Sequence, residues 1–181
     1  MGEVAPDARR ERFEQVFAAH RDAVLGYLRR RTDSGHDAAD LLADTFLVAW
    51  RRLDDVPLDP QTRPWLYGVA RRVLANHRRG EGRRHALAIK LLSELNDLTP
   101  PDQPDDSPAE RAFRLLPEPD RELLSLVAWE DLDTGQIATA LGISRNAVRI
   151  RLHRARKRFA KLLTTPRPRT VATEEVSHED A

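Results

Sequence analysis

The chain contains no cysteine. That excludes a disulfide framework and any thiolate-bound zinc site, and it fits the cytoplasm. No apolar run approaches the roughly 20 residues that a membrane-spanning helix needs. The opening stretch, MGEVAPDARRERF, carries no apolar signal segment, so no membrane insertion is expected. Glycine is scarce, at eight of 181 residues, and few stretches alternate apolar and polar with period two, so little invites a strand. An excess of charge is missing too. Thirty Lys plus Arg stand against 29 Asp plus Glu, so the mean charge names no partner. No nucleophile–base pair and no metal-ligating cluster stands out. A hydrolase therefore has no support, and no catalytic residue, metal or cofactor is expected.

What is present is helical periodicity and an uneven distribution of charge. Basic residues, nearly all arginine, gather at positions 29–31, 71–84 and 145–161, and acids gather at 97–110 and after Thr173. The arginine, alanine and proline bias is what GC-rich codons produce, which suggests a GC-rich bacterial genome. The expected fold class is all-α, in two small helical domains joined by a flexible acidic, proline-rich linker.

The most informative segment is residues 133–159, DTGQIATALGISRNAVRIRLHRARKRF. It reads as a short helix, a glycine turn and an arginine-rich second helix, the layout of a helix-turn-helix DNA reader. Asp133 and Gln136 have capping-box spacing. Ile137, Ala138 and Leu141 share a helical face, and Ala138 is small where two helices would cross. Gly142 suits the left-handed turn, Ile143 plugs the core beneath it, and Ser144 caps the second helix. Val148 and Leu152 hold that helix down. No acidic residue falls between Ser144 and Lys161. A charge run alone is more often a solvated face, but this one coincides with the turn signature. Such a helix gains affinity for duplex DNA by releasing counterions.

Upstream, apolar spacing predicts a helix over 10–31, with Phe13, Val16, Phe17, Val24, Tyr27 and Leu28. A second is predicted over 37–53. A third runs from Pro64 to about Arg79, ended by Gly80 and Gly82, with a short helix near 86–95 after it. The second helix carries more apolar bulk than one buried stripe needs: Leu41, Leu42, Phe46, Leu47, Val48 and Trp50 surround much of it. The carboxylates Asp40 and Asp44 have no histidine at ligand spacing beside them and read as solvated. On the third helix Trp65 shares a stripe with Val69 and Val73 and reads as core, whereas Tyr67 could stack on an unpaired base while arginines track phosphates. The domains are expected at 10–96 and 109–163, with a linker over 97–108 and a disordered tail over 164–181. In the second domain an amphipathic turn at 113–116 precedes a helix started by Pro119, Asp120 and Glu122.

Three segments carry a family resemblance: DAADLLADTFLVAWRRL, RPWLYGVARRVLANHRR and LPEPDRELLSLVAWEDLDTGQIATALGISRNAVRIRLHRARKRF. In this order and spacing they resemble the extracytoplasmic-function group of sigma-70 family sigma factors, over about residues 13–163. The resemblance implies a promoter-specificity subunit, not an enzyme. Its first domain would dock on the clamp of core RNA polymerase and read the −10 element; its second would read the −35 element and rest on the flap. By position, Asp40, Ala43, Asp44, Phe46 and Trp50 would meet polymerase. The loop over 52–62 would pocket a flipped base, and Tyr67, Arg71, Arg72 and Asn76 would approach the −10 strand. Arg145, Asn146, Arg149, Ile150, His153 and Arg154 would face the −35 duplex, with Arg156 and Arg158 on phosphate. Three positions depart from the family pattern: Ala43 where Gln is common, Arg72 where Asn is usual, and Ile150 in place of a small polar residue. The resemblance also implies an anti-sigma partner and a monomer when free. The alternative is a stand-alone helix-turn-helix regulator, which predicts a dimer that binds duplex without polymerase.

Overall fold

A computed structural model describes residues 6–92 and 107–164, and every regular element among them is helical, as the sequence leads one to expect. The first unit is built from α1 (Pro6–Arg29), α2 (Gly35–Arg51), a 3-10 turn (Leu53–Asp55) and α3 (Thr62–Leu92). The second is built from α4 (Pro108–Leu115), α5 (Glu118–Ala128), α6 (Thr134–Leu141) and α7 (Arg145–Thr164).

In the first unit α1, α2 and α3 each pack against the other two. Val24, Tyr27 and Leu28 meet Leu41, Phe46 and Ala49 and, from α3, Leu66, Ala70 and Leu74, all of them buried. Each large side chain so buried contributes on the order of 1.5–3 kcal/mol. Ser34 starts α2 by accepting from the amides of His36 and Asp37. The one buried polar side chain of α2, Thr45, is fully enclosed, and its hydroxyl donates to the Leu41 carbonyl at 2.7 Å.

Two expectations for this unit need correction. Gly80 and Gly82 do not end the third helix: α3 runs on to Leu92 and absorbs the first part of the separate helix expected near 86–95. Glycine in a helix interior costs only about 1 kcal/mol relative to alanine, which a long helix of arginine, alanine and leucine absorbs. The other correction concerns Phe46. Its ring is 3% exposed and stands edge-on to Phe17, with centroids 4.8 Å apart, and to Phe13 at 6.3 Å. It is a core residue.

In the second unit α4 opens on a capping box, Ser107 with Glu110, so the helix begins at the end of the stretch expected as linker. The remainder of the expected linker, and the tail beyond Thr164, lie outside the described residues. Leu123 and Leu126 of α5, Ile137 of α6, and Val148, Leu152 and Ala155 of α7 form the core. The chain turns from α5 into α6 through Asp131, whose φ of 51° is left-handed, a conformation that Asp tolerates better than most residues.

The caps of the helix-turn-helix are those the sequence implies. Both capping-box bonds of Asp133 and Gln136 are present. Gly142 has φ 66°, and the Ser144 hydroxyl accepts from the Ala147 amide at 3.1 Å. A further close helix crossing lies at Gly68. It joins α6 to α3: a Cβ on Gly68 would lie 2.8 Å from the Ala140 carbonyl oxygen. The two units thus share one continuous core.

Candidate nucleic-acid interface

Helix α7 divides cleanly by burial. Val148, Leu152 and Ala155 point inward at 7% exposure or less, while Arg145, Asn146, Arg149, Ile150, His153 and Arg154 are all exposed. Period 3.6 puts Asn146, Arg149, Ile150, His153 and Arg154 away from the core stripe, with Arg145 exposed beside the stripe at the start of the helix. Ile150 is 45% exposed, an apolar patch amid cations. The Arg145 guanidinium lies against Gly135, where its nitrogens would stand 2.9–3.0 Å from an added Cβ, so a side chain at 135 would push it off the surface. Arg156 is exposed as well, but Arg158 is ion-paired with Asp120 and so ties α7 to the start of α5.

On α3 the expected residues separate. Arg72 and Asn76 are exposed; the Arg72 Nε donates to the Gly68 carbonyl at 3.1 Å, and Asn76 accepts from Arg79. Arg71 is half-buried, with its Nε enclosed. Tyr67 is 2% exposed, stacked on Tyr27 with ring centroids 5.1 Å apart, and therefore not presented to solvent as the stacking role requires. Burial first, then the charge of Glu130 and a hydrogen bond to it, push the Tyr67 hydroxyl up to about 12. Trp65 is half-buried against the core, the Arg52 guanidinium 5.9 Å from its ring centre.

On α2, Asp40, Ala43, Asp44 and Trp50 lie on the exposed side. Phe46 does not. In its place the structure offers Leu47, 44% exposed, which shares a face with Asp40, Ala43 and Asp44 at spacings of three and four. That spacing was available in the sequence and selects Leu47 over Phe46. Trp50 is 36% exposed, held edge-on by Phe13 at 5.2 Å with the Arg9 guanidinium 5.4 Å from its ring centre.

Helix α1 ties down the loop between α2 and α3. Arg9 bonds Asp54 at 3.1 Å, Arg12 donates to the Val56 carbonyl at 2.8 Å, and the His20 Nε2 lies 3.6 Å from Asp59. Burial holds His20 below its ordinary value; Asp59 opposes that shift and Arg63 adds to it. At the loop's tip Leu58 is 80% exposed. Among the described residues no three His, Cys, Asp or Glu side chains gather to hold a metal ion, and no helix is long and apolar enough to cross a membrane.

A basic recognition helix behind a capped turn, and an α2–α3 pair presenting acid, apolar and basic faces, can now be set beside known proteins. Residues 16–84 match the family described as Sigma-70 region 2, and residues 108–159 match Sigma-70, region 4. The sigma factor CarQ of Myxococcus xanthus is 34% identical, over 87% of this chain and 92% of its own. This chain belongs to the sigma-70 family. Within it, the match to the extracytoplasmic-function sigma factor SigF of Caulobacter vibrioides, 30% identical over 80% of this chain and 85% of that one, agrees with membership of that group. Among solved structures, CnrH in complex with the cytosolic domain of CnrY is similar with a TM-score of 0.57 and 28% identity, covering 83% of this chain and 86% of that one. A sigma factor binds core RNA polymerase and directs initiation at promoters by recognising −10 and −35 elements, which is the function of this family and of this chain. The stand-alone regulator is not favoured.

Proposed function

We propose that the exposed face of α7 reads the −35 element through Arg145, Asn146, Arg149, Ile150, His153 and Arg154. The observation that carries this reading is that all six are exposed on a helix whose Val148, Leu152 and Ala155 stripe is core. Arg149 is suited to a bidentate contact with a guanine edge, worth about 1–3 kcal/mol of discrimination. Ile150 offers apolar surface to a thymine methyl. Arg156 adds phosphate attraction, which positions without specifying.

The −10 strand is assigned to Arg72 and Asn76, exposed on α3, with Arg71 and Tyr67 reaching it only when their cover is removed. The loop over 52–62 receives a flipped base. Polymerase is met by Asp40, Ala43, Asp44, Leu47 and Trp50 on α2, with Phe46 supporting that surface from beneath. The functional division is 10–96 for region 2, 97–108 for the linker, 109–163 for region 4 and 164–181 for the tail. The chain is not itself an enzyme, since the polymerase carries the chemistry; it acts in the bacterial cytoplasm and is a monomer when free. An anti-sigma protein is a further partner, a reading supported by CnrH, which is held by a cytosolic domain in its solved structure.

The test is transcription in vitro with core polymerase from a GC-rich bacterium, a genomic promoter library and this protein as sole specificity factor. Discrete transcripts that share upstream −35 and −10 motifs are expected. Arg149→Ala should lose −35-dependent transcripts and keep its affinity for core polymerase. Unchanged promoter choice in that variant would overturn the placement of the recognition helix.

A further inference from the structure

Helix α7 carries more positive charge than the described part of the protein balances. Arg145, Arg149, Arg151, Arg154, Arg156 and Lys157 are all exposed, and none has an ion-pair partner among the described residues. Arg158 is different, since Asp120 holds it. No acid lies in the helix itself. The basic stretch of α3 is more committed: Arg78 pairs with Glu118, Arg79 donates to Asn76, Arg72 bonds the Gly68 carbonyl and Arg71 is half-buried. Like charges three and four residues apart on a helix repel one another, so an anionic segment laid along α7 is favoured. The sequence supplies one. α7 ends at Thr164, and the residues that follow read TPRPRTVATEEVSHEDA. Thr165 stands before Pro166, and the position before a proline is disfavoured in a helix, which accounts for the stop. Beyond Arg169 come Glu174, Glu175, Glu179 and Asp180, with no Lys or Arg among them.

We propose that residues 174–180 dock on the exposed cations of α7 in the same chain, as a tethered competitor for DNA phosphates. The reach is right. At a rise of 1.5 Å per residue, Arg154 lies about 15 Å and Arg149 about 22 Å back along α7 from Thr164. A coil of ten residues, as from Thr164 to Glu174, spans about 18 Å, and one of 16 residues, to Asp180, about 22 Å. A tether whose span matches the distance gives the highest effective concentration, so a weak ionic contact suffices. Glu174 and Glu175 then face the Arg154–Lys157 turn, and Glu179 and Asp180 face Arg149. The docked tail lowers duplex affinity by the same factor for every sequence. It keeps α7 off bulk DNA without changing which sequence the helix prefers. The docking rests on charge and reach alone; the competition rests on reading α7 as the duplex-binding face.

Two measurements on the full chain test this. Because the chain has no cysteine, a nitroxide attached through Ser177→Cys is unambiguous. It should attenuate the amide signals of residues 149–157 at least twofold and leave those of α2, whose exposed side carries Asp40 and Asp44, unchanged. The attenuation should vanish in a neutralised tail (Glu174→Gln, Glu175→Gln, Glu179→Gln and Asp180→Asn), and also at about 1 M salt, where charges are screened beyond about 3 Å. The neutralised chain should bind a −35 duplex and a scrambled duplex each about fivefold more tightly at about 50 mM salt, and the gain should shrink toward unity as salt rises. No attenuation on α7, or equal attenuation on α2, overturns the docking. Attenuation as strong when the nitroxide sits on one copy and the isotope label on another assigns the tail to a second copy and overturns it too. Tighter duplex binding without attenuation marks repulsion of DNA by an undocked tail, which again overturns it. Attenuation with no gain for either duplex leaves the docking standing, overturns the competition and counts against α7 as the duplex-reading face.

Discussion

His20 is the residue whose chemistry reports most directly on the first unit's fold. Burial disfavours its charged form, so its folded value lies below the ordinary 6.5. In the window between the two values the unfolded chain binds more protons than the folded one, and stability falls as pH is lowered through 6.5. The melting temperature should therefore drop between pH 7.5 and 5.5, and His20→Gln should drop less over the same interval. Thermal unfolding of both proteins at the two pH values checks this. Phe46 and Leu47 make a second pair of contrasts on adjacent positions. Phe46→Ala should cost about 3–5 kcal/mol in denaturant unfolding, since it empties an aromatic site in the core. Leu47→Gln should stay within about 0.5 kcal/mol of wild type and yet lower the affinity for core polymerase at least fivefold in a pull-down titration. Equal losses of stability in both would contradict the assignment of the two faces of α2. The family resemblance assigns Phe46 to the polymerase contact by its position in the segment. Phe46 shares the buried face of α2 with Leu41, Thr45 and Ala49, and its packing against Phe13 and Phe17 fixes it there.

At the scale of elements, the helix-turn-helix was the most legible part of the chain because its ends are fixed by local chemistry. A capping Asp with Gln three residues on, a glycine after the last apolar position and a serine before the next helix each act within one turn, so sequence distance equals spatial distance. Those devices should be measurable. Gly142→Ala forces a side chain into a left-handed conformation and should destabilise by about 1–2 kcal/mol, and Asp133→Ala should cost about 1 kcal/mol; urea unfolding of each against wild type is the check. Helix α3 was less legible for the opposite reason. Gly80 and Gly82 resemble stop signals, but a glycine ends a helix only where the chain takes up the left-handed turn. α3 instead continues to Leu92.

At the scale of the whole molecule, sequence reading recovered two helical units and their order but not their contact. The partners that join them lie 91 to 100 residues apart, as Arg31 and Glu122 or Arg30 and Glu130, and no local periodicity records such a pairing. The same contact explains why Tyr67 is ambiguous in sequence. It sits on a basic, aromatic helix suited to single-stranded DNA, yet it is buried, its ring stacked on Tyr27 and its hydroxyl bonded to Glu130 of the second unit. The arginines of α7 escape that ambiguity, because the period of Val148 and Leu152 marks the buried stripe and the residues that the resemblance assigns to the −35 face are exposed. Transcription in vitro with core polymerase, comparing wild type with Arg149→Ala on promoters recovered by the wild type, tests the central claim most directly. The account predicts discrete wild-type transcripts with shared −35 and −10 motifs, and loss of the −35-dependent ones in the variant at unchanged polymerase affinity. No transcripts from the wild type, together with tight duplex binding as a dimer and no co-elution with core polymerase, would contradict it.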